Sequence, residues 1–367
     1  MSSIYVTGAW ISTIILVLLT FISRFSKNPK KDPKNPPGST GWPVIGETWS
    51  YVSNPKKFIL DRMAKHSSEL FTTSLGSEKM VAFCGPTANK CIFANDPKVF
   101  NFWLPASIDV VLCYPKVNSD THVGKSSEGF FNNFLRSDSI QRYVPLIDSM
   151  VQDHLNTYWD SRDQVKVHVL AKEFMMAACL RVLLNDTSPN PDEVRKLKEP
   201  VMLALEGLFS VPVNFPGTAF NKAIKGSRIF QEHVVDIIKQ RKLTISNQND
   251  DSGCQDLLSK MIVDSVKSGR VMSNEDMAKS INGLIFAGFY PTSTTITFTI
   301  AYLAEHPDVY QKVLQEQQEI ANSKGVGEPL TWVDVQKMKY SWNVIFETLR
   351  LKSPIPGNFI TVMADFT

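Results

Sequence analysis

The fold of this 367-residue chain depends on residues 273–306, SNEDMAKSINGLIFAGFYPTSTTITFTIAYLAEH. Ser273 and Asp276 have the S-x-x-D spacing of a helix capping box, and a proline follows the stretch. The pattern therefore predicts a single helix about 45 Å long, because an α-helix rises ~1.5 Å per residue. No residue from Ser280 to Ala304 is charged, which indicates that neither face of this helix is solvated.

Six hydroxyl side chains are concentrated in the second half of this helix, directly after Pro291. They are Thr292, Ser293, Thr294, Thr295, Thr297 and Thr299. A membrane span would have the same length and the same lack of charge. The polar cluster favours instead a buried helix that borders an enclosed site.

The composition of the chain is that of an ordinary globular protein. Hydrophobic residues make up 43% of the chain and charged residues 20%, and the length allows one large core or two domains. A net charge of +3 is too small to indicate nucleic-acid binding. The five cysteines form no C-x-x-C pair and no metal-ligand spacing, which is typical of reduced thiols in a cytosolic setting.

The N-terminal residues 1–24 are predicted to be a membrane anchor. Ile4–Ser23 carries no charge and has the length that spans a bilayer core. Five basic residues follow between positions 24 and 34, so the positive-inside rule places the rest of the chain on the cytoplasmic side. A cleaved signal peptide is the alternative, but the basic start and the small-residue cleavage site that it requires are not evident.

Residues 25–46 are rich in proline, glycine and lysine, a composition that predicts a stiff, extended linker. Its last part, PPGSTGWPVIG at residues 36–46, resembles the proline-rich hinge of the microsomal cytochromes P-450, which are haem-thiolate monooxygenases. The remaining residues, 47–367, are predicted to form the main domain.

Apolar periodicity predicts a mainly α-helical domain with small β-sheets, an α+β class. Predicted strands cover residues 70–75, 79–84 and 165–169, and helices cover 55–65, 140–158, 174–184, 192–208, 222–241, 255–267, 308–320 and 340–351, with another beginning near Asn89. Two apolar segments, Phe102–Tyr114 and Phe209–Phe220, are predicted loops. Each fits an ordinary loop or the lining of an apolar cavity, and the second also fits a membrane contact.

The sequence Glu347-Thr348-Leu349-Arg350 is the motif with the most specific context. Alone, this spacing is that of an ion pair on a helix surface. Here it follows the hydroxyl-rich helix by about fifty residues and comes directly after residues 337–342, KMKYSW. The whole arrangement resembles a plant cytochrome P-450. Residues 141–143 (QRY) and 214–218 (NFPGT) extend the resemblance to the branch that oxidises triterpenes such as beta-amyrin.

The resemblance implies a cytochrome P-450 fold and a haem cofactor. It further implies a monooxygenase that uses O2 and takes electrons from NADPH through a partner reductase. The expected substrate is a hydrophobic triterpenoid or sterol, and the expected location is the cytoplasmic face of the endoplasmic reticulum membrane. Glu347 and Arg350 match the pair that fixes the core behind the haem, so we expect them to lie inside the fold, away from open water.

In the family, the long helix carries A-G-x-[D/E]-T over the haem. By resemblance, Ala287 and Gly288 are the small pair that faces haem and oxygen, and Tyr290 stands where the acid would be. Pro291 replaces the threonine, and its missing N–H predicts a kink. Thr292, one residue later, is the remaining candidate for the proton relay, although one residue turns a helix by about 100°.

Further departures from the family pattern concern the groups that hold the haem. By resemblance, Glu128 stands where an arginine that holds a haem propionate is usual, which leaves Lys125 and Arg136 as candidates, and Ile360 replaces another such arginine. None of the five cysteines lies in the glycine-rich context of the haem ligand, so no metal ligand is predicted.

We therefore expect a C-terminally truncated cytochrome P-450 domain at residues 47–367, which is incomplete or inactive as given. The alternative is a non-catalytic, membrane-tethered helical remnant that binds partners or lipid.

Overall fold

A computed structural model describes residues 36–42, 45–66, 68–76, 78–94, 99–112, 140–160, 162–184, 191–247, 257–267 and 272–364. These residues are mainly α-helical, with two small antiparallel sheets, which confirms the predicted fold class. They form two compact units. The first comprises the described parts of residues 1–107, 209–213 and 359–367, and the second those of 108–208 and 214–358.

The first unit contains both sheets. Its elements are α1 (Thr48–Ser53), α2 (Pro55–His66), β1 (Leu70–Leu75), β2 (Glu78–Phe83), α3 (Gly85–Ala94), β3 (Phe100–Phe102) and β4 (Ile360–Val362). Strand β1 pairs antiparallel with β2, and Leu70 lies opposite Phe83. The predicted hairpin is therefore confirmed, with its second strand shifted by one residue. The pairing of β3 with β4 was not predicted.

Residues 36–42, the end of the predicted linker, run beside β1. The N–H of Thr72 donates to the carbonyl of Pro37 at 2.8 Å. Gly38 is required there, because a Cβ atom would lie 2.0 Å from the carbonyl oxygen of Thr72. The buried Glu47 carboxylate binds the Arg62 guanidinium and accepts a hydrogen bond from the hydroxyl of Thr73 at 2.8 Å. This part of the linker is thus fixed to the sheet.

Helices make up the second unit. They are α4 (Ala106–Leu112), α5 (Val144–Tyr158), α6 (Val167–Leu184), α7 (Pro191–Gly207), α8 (Ala219–Asn247), α9 (Leu257–Lys267), α10 (Asn274–Glu305), α11 (Pro307–Asn322), α12 (Trp332–Lys337) and α13 (Lys339–Leu351). Helix α4 begins in the first unit. A 3-10 turn at Gln141–Tyr143 precedes α5.

Two local predictions were wrong. The alternating valines of residues 165–169 suggested a strand, but α6 begins at Val167 and its long apolar run packs in the core. Core packing of that run overrides the local β propensity. The segment Phe102–Tyr114 is not a simple loop, because it contains the end of β3 and all of α4, where Ile108 and Val111 form a buried face.

The long helix predicted from residues 273–306 is confirmed as α10. The hydroxyl of Ser273 accepts a hydrogen bond from the N–H of Asp276 at 3.0 Å, as the capping box requires. Four buried side chains at helical spacing pack against α6 and α8 in the core: Met277, Ile281, Ile285 and Phe289.

The second half of α10 differs from the prediction of a fully buried helix. No residue from Thr295 to Glu305 is buried by the described parts of the chain. By length and composition, α10 is the one described helix that could cross a membrane. Its first half nevertheless has the packing of a core helix, whereas the shorter helices α11 and α13 cover the second half only in part.

Candidate functional site

The middle of α10 has one covered side and one open side. Phe289, Ser293 and Thr294 are buried, whereas Ala287 and Thr292 are exposed. An exposed alanine and an exposed threonine at the centre of an otherwise apolar core helix mark a surface that a ligand can reach.

Three of the six hydroxyl groups after Pro291, those of Ser293, Thr295 and Thr297, are bonded to the helix itself, and those of Thr294 and Thr299 are buried without a partner among the described residues. Ser293 donates to the carbonyl of Tyr290 at 3.0 Å, and Thr295 donates to the carbonyl of Pro291 at 2.8 Å. Thr292 makes no hydrogen bond through its hydroxyl to any described residue, and its side chain is exposed. Thr292 is therefore the hydroxyl of this cluster that is most available to a ligand.

The helix continues through Pro291 without interruption of its α-helical backbone. Proline lacks the N–H that would bond to the carbonyl of Ala287, four residues earlier, so this carbonyl loses its usual donor. The freed acceptor belongs to the residue one helical turn before Pro291. Whether the axis bends at this point stays a prediction.

The predicted small pair, Ala287 and Gly288, is split between two environments. Ala287 is exposed, but Gly288 is half-buried, and a Cβ atom on it would lie 3.3 Å from Sγ of Cys179 in α6. The absence of a side chain at Gly288 thus permits the close approach of α6. A haem-facing role for either residue stays a prediction.

Tyr290, which stands where the family has an acidic residue, lies against α6. Tyr290 is half-buried, and Nζ of Lys172 lies 5.3 Å from the centre of its ring, a cation–π distance. Burial lowers the pKa of Lys172. One turn earlier on α6, Nδ1 of His168 lies 3.2 Å from the hydroxyl of Thr297. Sequence reasoning missed both α6 residues, because nothing in the motifs links them to α10.

The motif pair on α13 is formed, but it is not inside the fold. Arg350 Nε donates to Glu347 Oε2 at 2.7 Å, and the guanidinium lowers the pKa of the carboxyl group. The side chains are 66% and 54% exposed, respectively. The expectation of a buried pair was therefore wrong for the described residues. The reason is that α13 directs Thr348 into the fold, which leaves the face with Glu347 and Arg350 uncovered.

Comparisons with known proteins identify the family. The family model of cytochrome P-450 matches residues 36–366. This chain belongs to the cytochrome P-450 family. Beta-amyrin 6-beta-monooxygenase of Solanum lycopersicum is 39% identical over 360 residues, which cover 96% of this chain and 74% of that protein. Beta-amyrin 28-monooxygenase of Kalopanax septemlobus is 39% identical over 362 residues, covering 96% and 75%.

These relatives confirm the predicted resemblance to the triterpenoid-oxidising branch of the cytochromes P-450. Among solved structures, the retinoic acid bound cyanobacterial CYP120A1 has a TM-score of 0.78, is 23% identical, and is matched over 91% of this chain and 73% of that chain. This likeness confirms the fold. The chain spans about three quarters of the length of these relatives.

The cytochrome P-450 family implies a haem whose iron is bound by a cysteine thiolate. The described cysteines therefore test whether this part of the chain can supply that ligand. Cys179 is buried in the core, and burial raises the pKa of its thiol to about 12, so it is not a thiolate at neutral pH. Burial and the nearby Glu69 carboxylate raise the pKa of Cys84 as well. Cys113 and Cys254 lie outside the described residues.

Cys84 and Cys179 are therefore not suited to ligate the haem iron as a thiolate. Cys91, the third described cysteine, is half-buried in α3, and Ala287 is exposed on α10. Within the described residues, no group of three or more His, Cys, Asp or Glu side chains could hold a metal ion.

The remaining site predictions concern the propionate contacts. Lys125, Glu128 and Arg136 lie outside the described residues. Ile360, which replaces an arginine by resemblance, is half-buried in β4 opposite Phe102.

Proposed function

We propose that this chain is a haem-dependent monooxygenase of the endoplasmic reticulum membrane that oxidises a hydrophobic triterpenoid or sterol. The observation that carries the proposal is the open side of α10, in a chain 39% identical to beta-amyrin monooxygenases. Exposed Ala287 leaves space there, and Thr292 offers a hydroxyl that no described residue occupies.

The names of the relatives supply the substrate class. They specify beta-amyrin, so a triterpenoid is the first substrate to test. In this proposal the haem supplies oxygen activation when it is bound, and the electrons come from NADPH through a partner reductase. The chain itself supplies an uncharged helix surface against an apolar substrate and, at Thr292, one hydroxyl that can donate or accept a hydrogen bond.

Membrane attachment belongs to the same proposal. The uncharged segment Ile4–Ser23 would anchor the chain, with the basic, proline-rich residues 25–46 as linker and residues 47–367 in the cytoplasm. Lys125 would contact a haem propionate, and Glu347 and Arg350 would hold α13 as a structural pair.

A carbon monoxide difference spectrum of the full chain, followed by turnover, tests the proposal. The chain is expressed in microsomes with a cytochrome P-450 reductase, reduced, and exposed to carbon monoxide. A Soret band of the thiolate type and an oxygenated product from beta-amyrin that requires NADPH would support the proposal, and the thiolate would then have to come from a cysteine other than Cys84 and Cys179. A chain that binds no haem, or binds haem without that band, contradicts the proposal.

Two variants separate the role of Thr292 from a loss of folding. Thr292→Val keeps the shape of the side chain and removes its hydroxyl, whereas Thr292→Ser keeps the hydroxyl. We expect an unchanged Soret band in both, with reduced product formation in Thr292→Val alone. Equal turnover by both variants would exclude Thr292 as a functional hydroxyl.

A second candidate function is a non-catalytic, membrane-tethered helical protein that binds partners or lipid. Two observations favour it: Pro291 occupies the position of the relay threonine, and the buried thiol of Cys179 is unsuited to bind iron. In the same experiment this function predicts membrane-bound, folded protein without haem.

A further inference from the structure

Helix α13 presents an exposed row of two aromatic side chains and one cation. Trp342, Phe346 and Arg350 follow one another at intervals of four residues, so they lie on one face of the helix. Trp342 is 40% exposed, Phe346 is 60% exposed, and the side chain of Arg350 is 66% exposed. We refer to these three residues as the α13 strip. Aromatic residues and arginine are the residue types enriched at protein–protein interfaces, so the strip has the composition of a contact surface.

The helix that carries the strip is held firmly in the second unit. Thr348 is buried, and it lies about 160° around the helix from Phe346, so the side opposite the strip faces the fold. At the start of α13, the carboxylate of Glu316 in α11 accepts hydrogen bonds from the N–H groups of Tyr340 and Ser341 at 2.7 and 2.9 Å. The outward direction of the strip is therefore a property of the fold.

The side chains of the strip are also ordered by their neighbours. Nε1 of Trp342 donates to the carbonyl of Val335 at 3.3 Å, and its ring stacks on that of Phe346, with 5.8 Å between centres and 29° between planes. Nε of Arg350 donates to Oε2 of Glu347 at 2.7 Å. This ion pair uses one edge of the guanidinium, so its flat face can still stack on an aromatic ring. Binding a partner would thus require little further ordering of the strip.

The order of the three residues makes the strip complementary to itself. Trp342 and Arg350 each lie four residues from Phe346, on opposite sides of it. When two copies of α13 pack antiparallel around a two-fold axis at Phe346, the two Phe346 rings meet and each Arg350 lies opposite the Trp342 of the other copy. Arginine over tryptophan is a favourable cation–π pair. Exposed Lys339 then lies near the end of the other α13, where Nζ of Lys352 is directed at the ring of Phe298 in its own chain, 4.2 Å away.

We propose that the α13 strip is the contact surface of a reversible homodimer, in which it is covered by the strip of a second copy of this chain. A two-fold axis uses the same surface on both partners, so that residue i meets residue j and j meets i, as Trp342 and Arg350 do in this arrangement. One helix face is smaller than the ~800 Å² per partner of a standard interface, so the association should be weak. The inference depends neither on haem nor on turnover.

Disulfide cross-linking at the centre of the strip tests the contact in the full chain. Phe346→Cys places a thiol on the two-fold axis, where the thiols of two copies can form a disulfide. Val266→Cys, at a similarly exposed apolar position of α9, is the matched control, and the wild type reports on the five native cysteines. Microsomes that contain each protein are mildly oxidised and separated on a non-reducing gel. We expect several times more reducible dimer from Phe346→Cys than from Val266→Cys or the wild type, and equal amounts overturn the proposal.

Exchanging the ends of the strip tests which residues meet. In the Phe346→Cys background, Trp342→Arg places two cations opposite each other, so the cross-link should be lost. A differently tagged chain with Arg350→Trp restores an arginine opposite a tryptophan at both ends of the mixed pair, which should regain it. Arg350→Gln, at an exposed position, should also weaken the cross-link and replaces Trp342→Arg if circular dichroism shows that variant to be unfolded. An undiminished cross-link in Trp342→Arg or Arg350→Gln, or a mixed pair that gains none, overturns the proposal.

Discussion

The two halves of α10 differ in their surroundings, although the helix carries no charge between Ser280 and Ala304. Before Tyr290, its side chains are packed between α6 and α8 in the core. After Tyr290, only Ser293 and Thr294 are buried by described residues. The first half therefore contributes the buried core of α10, and the second half is the part that the described residues leave more accessible.

The largest expected effect comes from truncating a side chain in the first half. Ile285 is fully buried, so Ile285→Ala should lower the free energy of unfolding by about 2–5 kcal/mol, because it removes apolar contacts and leaves a cavity. Ile296, half-buried in the second half, is the matched control, and Ile296→Ala should lose less. Urea denaturation measures both, and equal losses would show that the halves are packed alike.

A smaller loss is expected where α6 approaches α10. Gly288→Val places a side chain against Cys179 Sγ, where even a Cβ atom would lie at 3.3 Å, so it should destabilise the fold by about 1–3 kcal/mol. Cys179→Ala removes the sulfur and should relieve part of that loss in the double variant. If the two losses simply add, the contact between Gly288 and Cys179 has no energetic role.

One buried residue in the first half of α10 is expected to destabilise the fold. Asn282 is 0% exposed, and neither its amide oxygen nor its amide nitrogen finds a partner among the described residues. Asn282→Leu should therefore raise the free energy of unfolding by about 1–3 kcal/mol, the magnitude associated with an unsatisfied buried polar group. Asn282→Asp, which buries a charge at the same size, is the control and should destabilise. A loss of stability in Asn282→Leu would reveal a partner for the amide.

The two halves of α10 also differ in how far the sequence predicts them. Ser273, Asp276 and the apolar spacing are local signals, so the start, length and buried stripe of α10 could be predicted. The exposure of Glu347 and Arg350 could not, since it depends on which face of α13 other segments cover. The contact of Gly288 with Cys179 was equally invisible, because it joins residues more than a hundred positions apart.

The same limit applies to function. Spacing identified Ala287, Gly288 and Thr292 as candidates only through resemblance to a family. The structure adds what no motif contains, namely that Thr292 is exposed with an unoccupied hydroxyl and that Lys172 lies over the ring of Tyr290.

The buried thiol beside Gly288 predicts a pH dependence of stability. Burial raises the pKa of Cys179 from 9.0 to about 12 in the folded chain. The unfolded chain therefore loses its thiol proton first, and stability should fall as the pH rises from about 9 towards 12, by at most about 1.4 kcal/mol per pH unit. Cys179→Ala should lack this part of the decline in urea denaturation series. An identical decline in wild type and variant would assign it to other groups.

The smallest effects on stability are expected from removing hydroxyl groups in the second half of α10. These variants distinguish a hydroxyl that has a structural role from one that is available to a ligand. The hydroxyl of Thr297 donates to the carbonyl of Ser293 at 2.7 Å and contacts His168, so Thr297→Val should cost about 0.5–1.5 kcal/mol of unfolding free energy. Thr292→Val should leave stability within about 0.5 kcal/mol of the wild type, because an exposed side chain without a partner contributes little. A clear loss in Thr292→Val would mean that this hydroxyl already has a structural role, and the open side of α10 would then lose its most available polar group.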